Sequence, residues 1–343
     1  MFALAKTAAA PGLTAVDVPR PKLRSTDVRI KVTHAGICGT DMHIYNWDTW
    51  AQHRIKVPTV TGHEFVGRIT ELGSEVHGFE EGQRVSAECH VVCGLCRSCR
   101  TGQGHLCEQT SIIGVDRDGA FAEEVVVPAS NLWPLKLDSI ADRHAAIYDP
   151  LGNAMHTVMA FNIASKDVLI TGAGAIGLMA TAMAKANGAY RVIVVEPNPM
   201  KRKLALKMGA DLAIDPVEGD LQEQITALTV DYQPDVLLEM SGHPKALIDG
   251  MRVLANGGKV ALLGIPSAEV QLDLAELVIF KGLTLQGIIG RKMFETWYQV
   301  EAFVRTHPQM VDAIITHTMP AADFDQAFTL LRDGKAGKIV LEF

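Results

Sequence analysis

Apolar and polar positions follow two different rhythms along this chain. Up to about residue 148 they alternate in short stretches. Val28, Ile30 and Val32 are interleaved with Arg29, Lys31 and Thr33, the period of a strand buried on one face. Val125, Val126 and Val127 run into Pro128, which marks another strand and its stop. From about residue 165 unbroken apolar runs take over: Val168–Thr171, Val192–Val195, Leu212–Ile214, Val236–Leu238, Val260–Leu263 and Leu283–Ile289. Helical stretches such as Lys201–Met208 and Lys245–Leu254 lie between most of them. Strands alternating with helices imply right-handed crossovers and a doubly wound parallel sheet, so the chain reads as α/β. Beyond residue 290 the pattern predicts amphipathic helices over Met293–Arg305 and Phe324–Arg332, then a closing strand over Lys338–Phe343.

The 343 residues suit about two domains. With 48% hydrophobic and 21% charged residues the chain can bury a large core. A net charge of −7 argues against nucleic acid or an anionic membrane as partner. Val168–Ala184 carries no charge and has the length of a short membrane span, but Gly172 and Gly174 break it near its start. A strand turning into a helix accounts for it. The N-terminal residues lack the basic leader and apolar run of a signal peptide.

That turn reads Gly172-Ala173-Gly174-Ala175-Ile176-Gly177. The first glycine permits a tight turn, the second lets the backbone approach a pyrophosphate, and the third lets the helix pack closely on the strand. Glu196 ends the next strand, where an acid accepts hydrogen bonds from a ribose 2′-hydroxyl and repels a 2′-phosphate. The pattern favours NAD over NADP, with Lys201 and Arg202 close by as opposing cations. Ile176, Leu263, Gly264, Ile265, Ile288 and Ile289 lie at turns or strand ends of the same crevice.

Cysteine usage adds metal. Cys93, Cys96 and Cys99 are spaced by three, and Cys107 follows within one loop length. Four thiolates make a closed zinc site that leaves no position for substrate, so this group is structural. Clustered cysteines in a chain this long point to metal rather than disulfides, and to a reducing cytoplasm. Cys89 reads as a buried residue, and His90 and His105 as bystanders of the cluster.

A second constellation lies upstream. Cys38, His63 and Glu64 offer a thiolate, an imidazole and a carboxylate, which together balance a divalent ion and leave one position open. A metal there would lower the pKa of an alcohol hydroxyl. Thr40 could accept the proton and His43 relay it to solvent, while a nicotinamide takes the hydride. Asp149 could ligate the metal, tune it from behind its ligands, or cap a helix; tuning is the favoured role.

With these motifs in place the whole chain resembles the zinc-dependent medium-chain alcohol dehydrogenases. The motifs that carry the resemblance are Gly62-His63-Glu64-Phe65-Val66-Gly67 with Gly73, the four-cysteine lobe, and Gly172–Gly177 with Glu196. The resemblance implies a GroES-like β-rich catalytic domain over residues 1–148, a Rossmann domain over 149–292, and a return to the catalytic domain over 293–343. It also implies that Cys38, His63 and Glu64 bind catalytic zinc, that Thr40 and His43 form the relay, and that Asp149 assists without coordinating. Cys38–Trp50, Tyr148–Asn153 and Met293–Tyr298 are similar to the branch of the family that oxidises the β-hydroxyl of L-threonine with NAD. That likeness implies a cytoplasmic homotetramer. It also marks the segments around Trp47 and Trp297 as places to look for substrate contacts. Glu196 stands where aspartate is common, Ile289 where an aromatic residue is common, and Lys201 where arginine is common. A polyol or butanediol dehydrogenase would share every metal and cofactor motif. A non-catalytic protein on the same fold would not require Cys38, Thr40, His43, His63 and Glu64 together.

Overall fold

The alternating segment at residues 28–33 lies in the strand Asp27–Gly36 of the computed structural model, which describes residues 1–229 and 233–343. Val28, Ile30 and Val32 are buried and share a core with Phe65, Ile69, Phe121 and Ile339. Lys31 is exposed, as the period of two requires. Arg29 departs from the alternation. It is buried because its guanidinium donates to Glu71 at 2.8 Å and to the Pro21 carbonyl at 2.8 Å. Matched donors let a long cation lie inside.

Asp27–Gly36 is the centre of a seven-stranded sheet. It pairs antiparallel with Glu64–Leu72, with Glu124–Pro128 and with the C-terminal strand Lys338–Glu342. The register sets Gly36 opposite both Glu64 and Val340. The start of one strand, the end of another and the last strand of the chain therefore meet at one corner. This sheet belongs to a unit formed by Met1–Pro150, Lys292–Pro308 and Ile315–Phe343. Within it the helix Glu295–Thr306 packs Trp297 against Trp133 and Tyr148, with ring centroids 5.7 and 5.9 Å away.

A second unit comprises Leu151–Arg291 and Gln309–Ile314. Its six strands are all parallel. They run in the spatial order Leu212–Ile214, Arg191–Val195, Asp167–Thr171, Val236–Glu239, Lys259–Leu262 and Thr284–Gly287. Strand order reverses between Asp167–Thr171 and Val236–Glu239, and a crevice opens outside the strand ends at such a point. The uncharged run is the strand Asp167–Thr171 followed by the helix Ala175–Ala186. Among the described residues no helix is long and apolar enough to cross a membrane. The helix Pro199–Lys207 starts where its sequence dictates. Asn198 accepts from the Met200 and Lys201 amides, and Pro199 fills the first turn, where a missing amide proton costs nothing.

Gly67 sits within Glu64–Leu72 opposite Val32. A Cβ there would stand 2.2 Å from the Lys31 carbonyl oxygen, a backbone atom that cannot swing aside. Gly67→Ala is therefore expected to cost about 2–3 kcal/mol of stability, the scale of core overpacking. Thermal unfolding would show this as a midpoint several degrees lower. An unchanged midpoint would mean that the ladder relaxes around the methyl group.

Candidate active site

The corner at Gly36 brings the first candidate metal group together. Cys38 follows the central strand and stands at the N-cap of the helix Gly39–Asn46, while His63 and Glu64 open the neighbouring strand. Ligand atoms of Cys38, His63 and Glu64 all lie within 4.8 Å of one another. His63 and Glu64 are buried, yet His63 Nδ1 and Glu64 Oε1 have no hydrogen-bond partner among the described residues. Buried polar atoms are costly unless satisfied. A thiol, an imidazole and a carboxylate oxygen converging in this way suit a zinc ion. Gly36 makes the space: a Cβ on it would lie 2.2 Å from Glu64 Oε2.

Two buried groups frame these three. Lys338, on the C-terminal strand, places Nζ 2.5 Å from Glu64 Oε2 and donates to the Ile37 carbonyl at 2.7 Å. Asp41 accepts from the Cys38 amide at 2.9 Å through Oδ2, and its Oδ1 stands 3.8 Å from His63 Nδ1. Without an ion, burial pulls the His63 imidazole down, but the charges of Asp41 and Cys38 outweigh it and raise it to about 10. Burial raises the Glu64 carboxyl, and Lys338 opposes that rise. Burial likewise raises Asp41. The simple balance of thiolate and carboxylate against a divalent ion is thus altered by a lysine and a further carboxylate.

Thr40 and His43 are three residues apart on the helix Gly39–Asn46, hence on one face. Thr40 is half-buried and His43 exposed. The His43 Nδ1 meets Asp48 Oδ2, and Asp48 also caps the helix Thr49–Arg54 by accepting from the Ala51 amide at 3.0 Å. Burial tends to raise the Asp48 carboxyl, but the Ala51 amide and His43 hold it below its ordinary value. Asp149 is buried and stands outside the trio of ligand atoms, while its charge acts on both His63 and Glu64.

The sulfurs of Cys93, Cys96, Cys99 and Cys107 likewise lie within 4.8 Å of one another. Cys93 and Cys107 sulfurs are 3.6 Å apart. Zinc–sulfur bonds of about 2.3 Å in a tetrahedron set sulfurs about 3.8 Å apart, so the group fits the ion. Backbone amides aim at the sulfurs: Leu95 and Cys96 at Cys93, and Cys93 and Gln109 at Cys107. Those on Cys107, the Cys93 amide foremost, pull its thiol down to about 6, while burial and neighbouring thiols push Cys99 up to about 12. A third set, Glu88, Cys89 and His90, is engaged elsewhere. Glu88 accepts from the His90 amide and ring nitrogen at 3.0 and 2.7 Å and from the Trp297 indole at 3.0 Å. Trp297 is only 1% exposed and packs within the fold. Trp47 takes the left-handed conformation, φ 55°, with the buried Lys6 ammonium 4.9 Å from its ring centroid.

In the second unit Gly172 has φ +89°, and a Cβ on Gly177 would lie 2.0 Å from the Gly172 carbonyl oxygen. A Cβ on Gly174 would meet nothing within 4 Å, which leaves an open cradle in front of the helix start. Ile176 is half-buried in the first turn of that helix. Glu196 is buried, and its two oxygens accept from the Ala173 amide at 2.8 Å and the Asn198 amide at 2.9 Å. It therefore also holds the glycine turn against the next strand. Arg202 is occupied by Asp215 at 2.8 Å and the Glu196 carbonyl at 2.8 Å, whereas Lys201 has no ion-pair partner among the described residues. Leu263, Gly264, Ile265, Ile288 and Ile289 line one cavity of about 460 Å³ together with Glu239. Four residues of these sites escape sequence reasoning. For Asp41 the third-position acid of the helix N-terminus was a usable signal. Asp48, Lys338 and Glu239 carried none.

Residues 24–137 match the alcohol dehydrogenase GroES-like domain, and residues 175–306 match the zinc-binding dehydrogenase domain. The L-threonine 3-dehydrogenase of Chromobacterium violaceum is 48% identical over 343 residues, covering 100% of both chains. That of Pyrococcus abyssi is 48% identical over 341 residues, covering 99% of this chain and 98% of its own. Among solved structures, an alcohol dehydrogenase of E. coli CFT073 complexed with NADH superposes with a TM-score of 0.90 at 27% identity, over 100% of this chain and 99% of its own. Two domain matches in this order, and relatives nearly half identical from end to end, make the chain a member of the zinc-binding alcohol dehydrogenase family.

Proposed function

We propose that the protein is an L-threonine 3-dehydrogenase, oxidising the β-hydroxyl of L-threonine with NAD to 2-amino-3-oxobutyrate. The observation that carries this reading is full-length identity near one half to L-threonine 3-dehydrogenases, joined to an intact Cys38, His63 and Glu64 group. Zinc supplies a Lewis acid that lowers the pKa of the substrate hydroxyl, and NAD supplies the hydride acceptor. Cys38, His63 and Glu64 hold the catalytic ion, and Cys93, Cys96, Cys99 and Cys107 hold the structural one. Asp41 and Asp149 steady His63 and Glu64 from behind. Thr40 Oγ1 accepts the hydroxyl proton as it hands its own to His43. The exposed His43 releases that proton to solvent, with Asp48 orienting the ring and stabilising its charged form. The glycine turn, Ile176, Glu196 and Lys201 take the adenosine half of NAD, and Leu263, Gly264, Ile265, Ile288 and Ile289 take the other half. The paired Arg202 and the carboxylate of Glu196 disfavour a 2′-phosphate.

The same reading makes the protein a cytoplasmic enzyme of threonine degradation and a homotetramer. Reduced cysteines at two metal groups suit a reducing compartment. Thr284–Gly287 is the edge strand of its sheet, and Leu274, Ile279 and Phe280 are exposed just before it. An open edge flanked by exposed apolar side chains favours assembly with further copies.

Three outcomes test the proposal. With NAD, purified protein should turn over L-threonine with a kcat/KM roughly a hundredfold or more above 2,3-butanediol or sorbitol, the discrimination that polar recognition can reach. Preference for a diol would overturn the substrate assignment. Cys38→Ser should abolish turnover and lower the zinc content from about two to about one per chain, with the fold retained. Full activity or unchanged zinc would remove Cys38 from the site. Gly174→Ala should leave the melting temperature unchanged and weaken NADH binding about tenfold or more, because its methyl group fills the approach to the pyrophosphate. Unchanged NADH affinity would place the dinucleotide elsewhere.

A further inference from the structure

Glu239 is a buried carboxylate at the end of the strand Val236–Glu239, 2% exposed, on the wall of the 460 Å³ cavity. Its two oxygens are used unequally. Oε1 accepts from the Ser241 amide at 2.9 Å, the Ser241 hydroxyl at 2.5 Å, the Gly242 amide at 3.0 Å and the Thr171 hydroxyl at 3.4 Å. Among the described residues Oε2 takes no hydrogen bond and no cation pairs with the carboxylate. A buried carboxylate oxygen without a donor is costly, and a cavity wall is where a ligand can supply one.

The neighbourhood keeps that oxygen uncovered. A Cβ on Gly264 would stand 2.4 Å from Oε2, so any other residue there would block it. The Gly264 amide is fixed by donating to the Glu239 carbonyl at 3.0 Å, and a Cβ on Gly242 would strike the Ile265 carbonyl oxygen at 2.3 Å. Two glycine-bearing turns thus converge around one acceptor. Position in the sheet says which part of a ligand meets it. A doubly wound sheet of this order is built from two mononucleotide-binding halves. Glu196 and the glycine turn serve the half formed by Asp167–Thr171, Arg191–Val195 and Leu212–Ile214. Glu239 ends the first strand of the other half.

We propose that Glu239 is a cofactor-binding residue whose Oε2 accepts a hydrogen bond from a ribose hydroxyl in the nicotinamide half of the dinucleotide. The inference rests on the reading that the chain binds NAD. Glutamine at this position keeps an acceptor for the Ser241 and Gly242 amides but turns an amide donor toward the cavity.

The test is equilibrium binding of NADH and of AMP, which lacks the nicotinamide half, to the full-length zinc-loaded protein and to Glu239→Gln. The expected result is a Kd for NADH raised about tenfold or more, the scale of a hydrogen bond to a charged group, with AMP affinity and melting temperature unchanged. Equal weakening of NADH and AMP would reduce Glu239 to a support of the turn and overturn the proposal, as would unchanged NADH affinity. A second measurement needs no variant: NADH lacking the hydroxyls of its nicotinamide ribose should bind the unaltered protein about tenfold more weakly than NADH. Equal binding overturns the proposal. Unaltered protein that binds neither NADH nor AMP would instead overturn the dinucleotide reading itself.

Discussion

The contact between Lys338 and Glu64 is the constraint on which the metal corner depends. Both side chains are buried, and the lysine also reaches the carbonyl of Ile37, one residue before Cys38. The last strand of the chain is thereby locked to two of the three candidate ligands. Burying an ion pair gives little net stability, but removing one partner strands the other at a cost of about 3–5 kcal/mol. The pair therefore acts more on geometry than on stability. It fixes Glu64 by one oxygen and leaves the other for the ion. It also brings a positive charge to a pocket crowded with Cys38, Asp41, Glu64 and Asp149. That crowding raises His63 to about 10 in the absence of metal, and a divalent cation would relieve it.

The cofactor side works by a different economy of groups. Glu196 follows the second strand of one half of the parallel sheet and Glu239 ends the first strand of the other, and both spend oxygens on backbone amides of nearby turns. Each acid shapes its neighbouring turn through bonds within the chain itself. This is preorganisation: the turns do not have to be ordered at the moment of binding. Because glycines at 172, 174, 242 and 264 keep side chains out of the way, the backbone and the two carboxylates define the surface.

Elements with a local cause were legible in the sequence. The alternation at Val28–Thr33, the strand-to-helix glycine turn and the four-cysteine loop each carry their signal within about fifteen residues, and only the buried Arg29 departs from the expected form. Lys338, which escaped notice, has distant partners. Nothing near Lys338 announces a buried cation, because its partners Glu64 and Ile37 arrive through sheet register. Asp48 caps the helix Thr49–Arg54, and its second contact, with His43, depends on the bend at Trp47. Glu239 looks like the polar end of an apolar run. In the segment around Trp297 the indole itself lies against Trp133 and is tied to Glu88, partners far off in the sequence.

The two cysteine-bearing groups also explain why one protein can hold two zinc ions with different duties. Around Cys93, Cys96, Cys99 and Cys107 the backbone supplies amides to the sulfurs, so negative charge there is already stabilised by the chain and the ion completes a closed shell. Around Cys38 the backbone contributes the Asp41 amide, which closes a capping box on the Cys38 side chain. Charge is balanced by side chains, namely Lys338 against Glu64 and Asp41 behind His63. A mixed set of one thiol, one imidazole and one carboxylate oxygen fills three positions and leaves a fourth. The first arrangement favours permanence. The second leaves a position open beside the helix that carries Thr40 and His43.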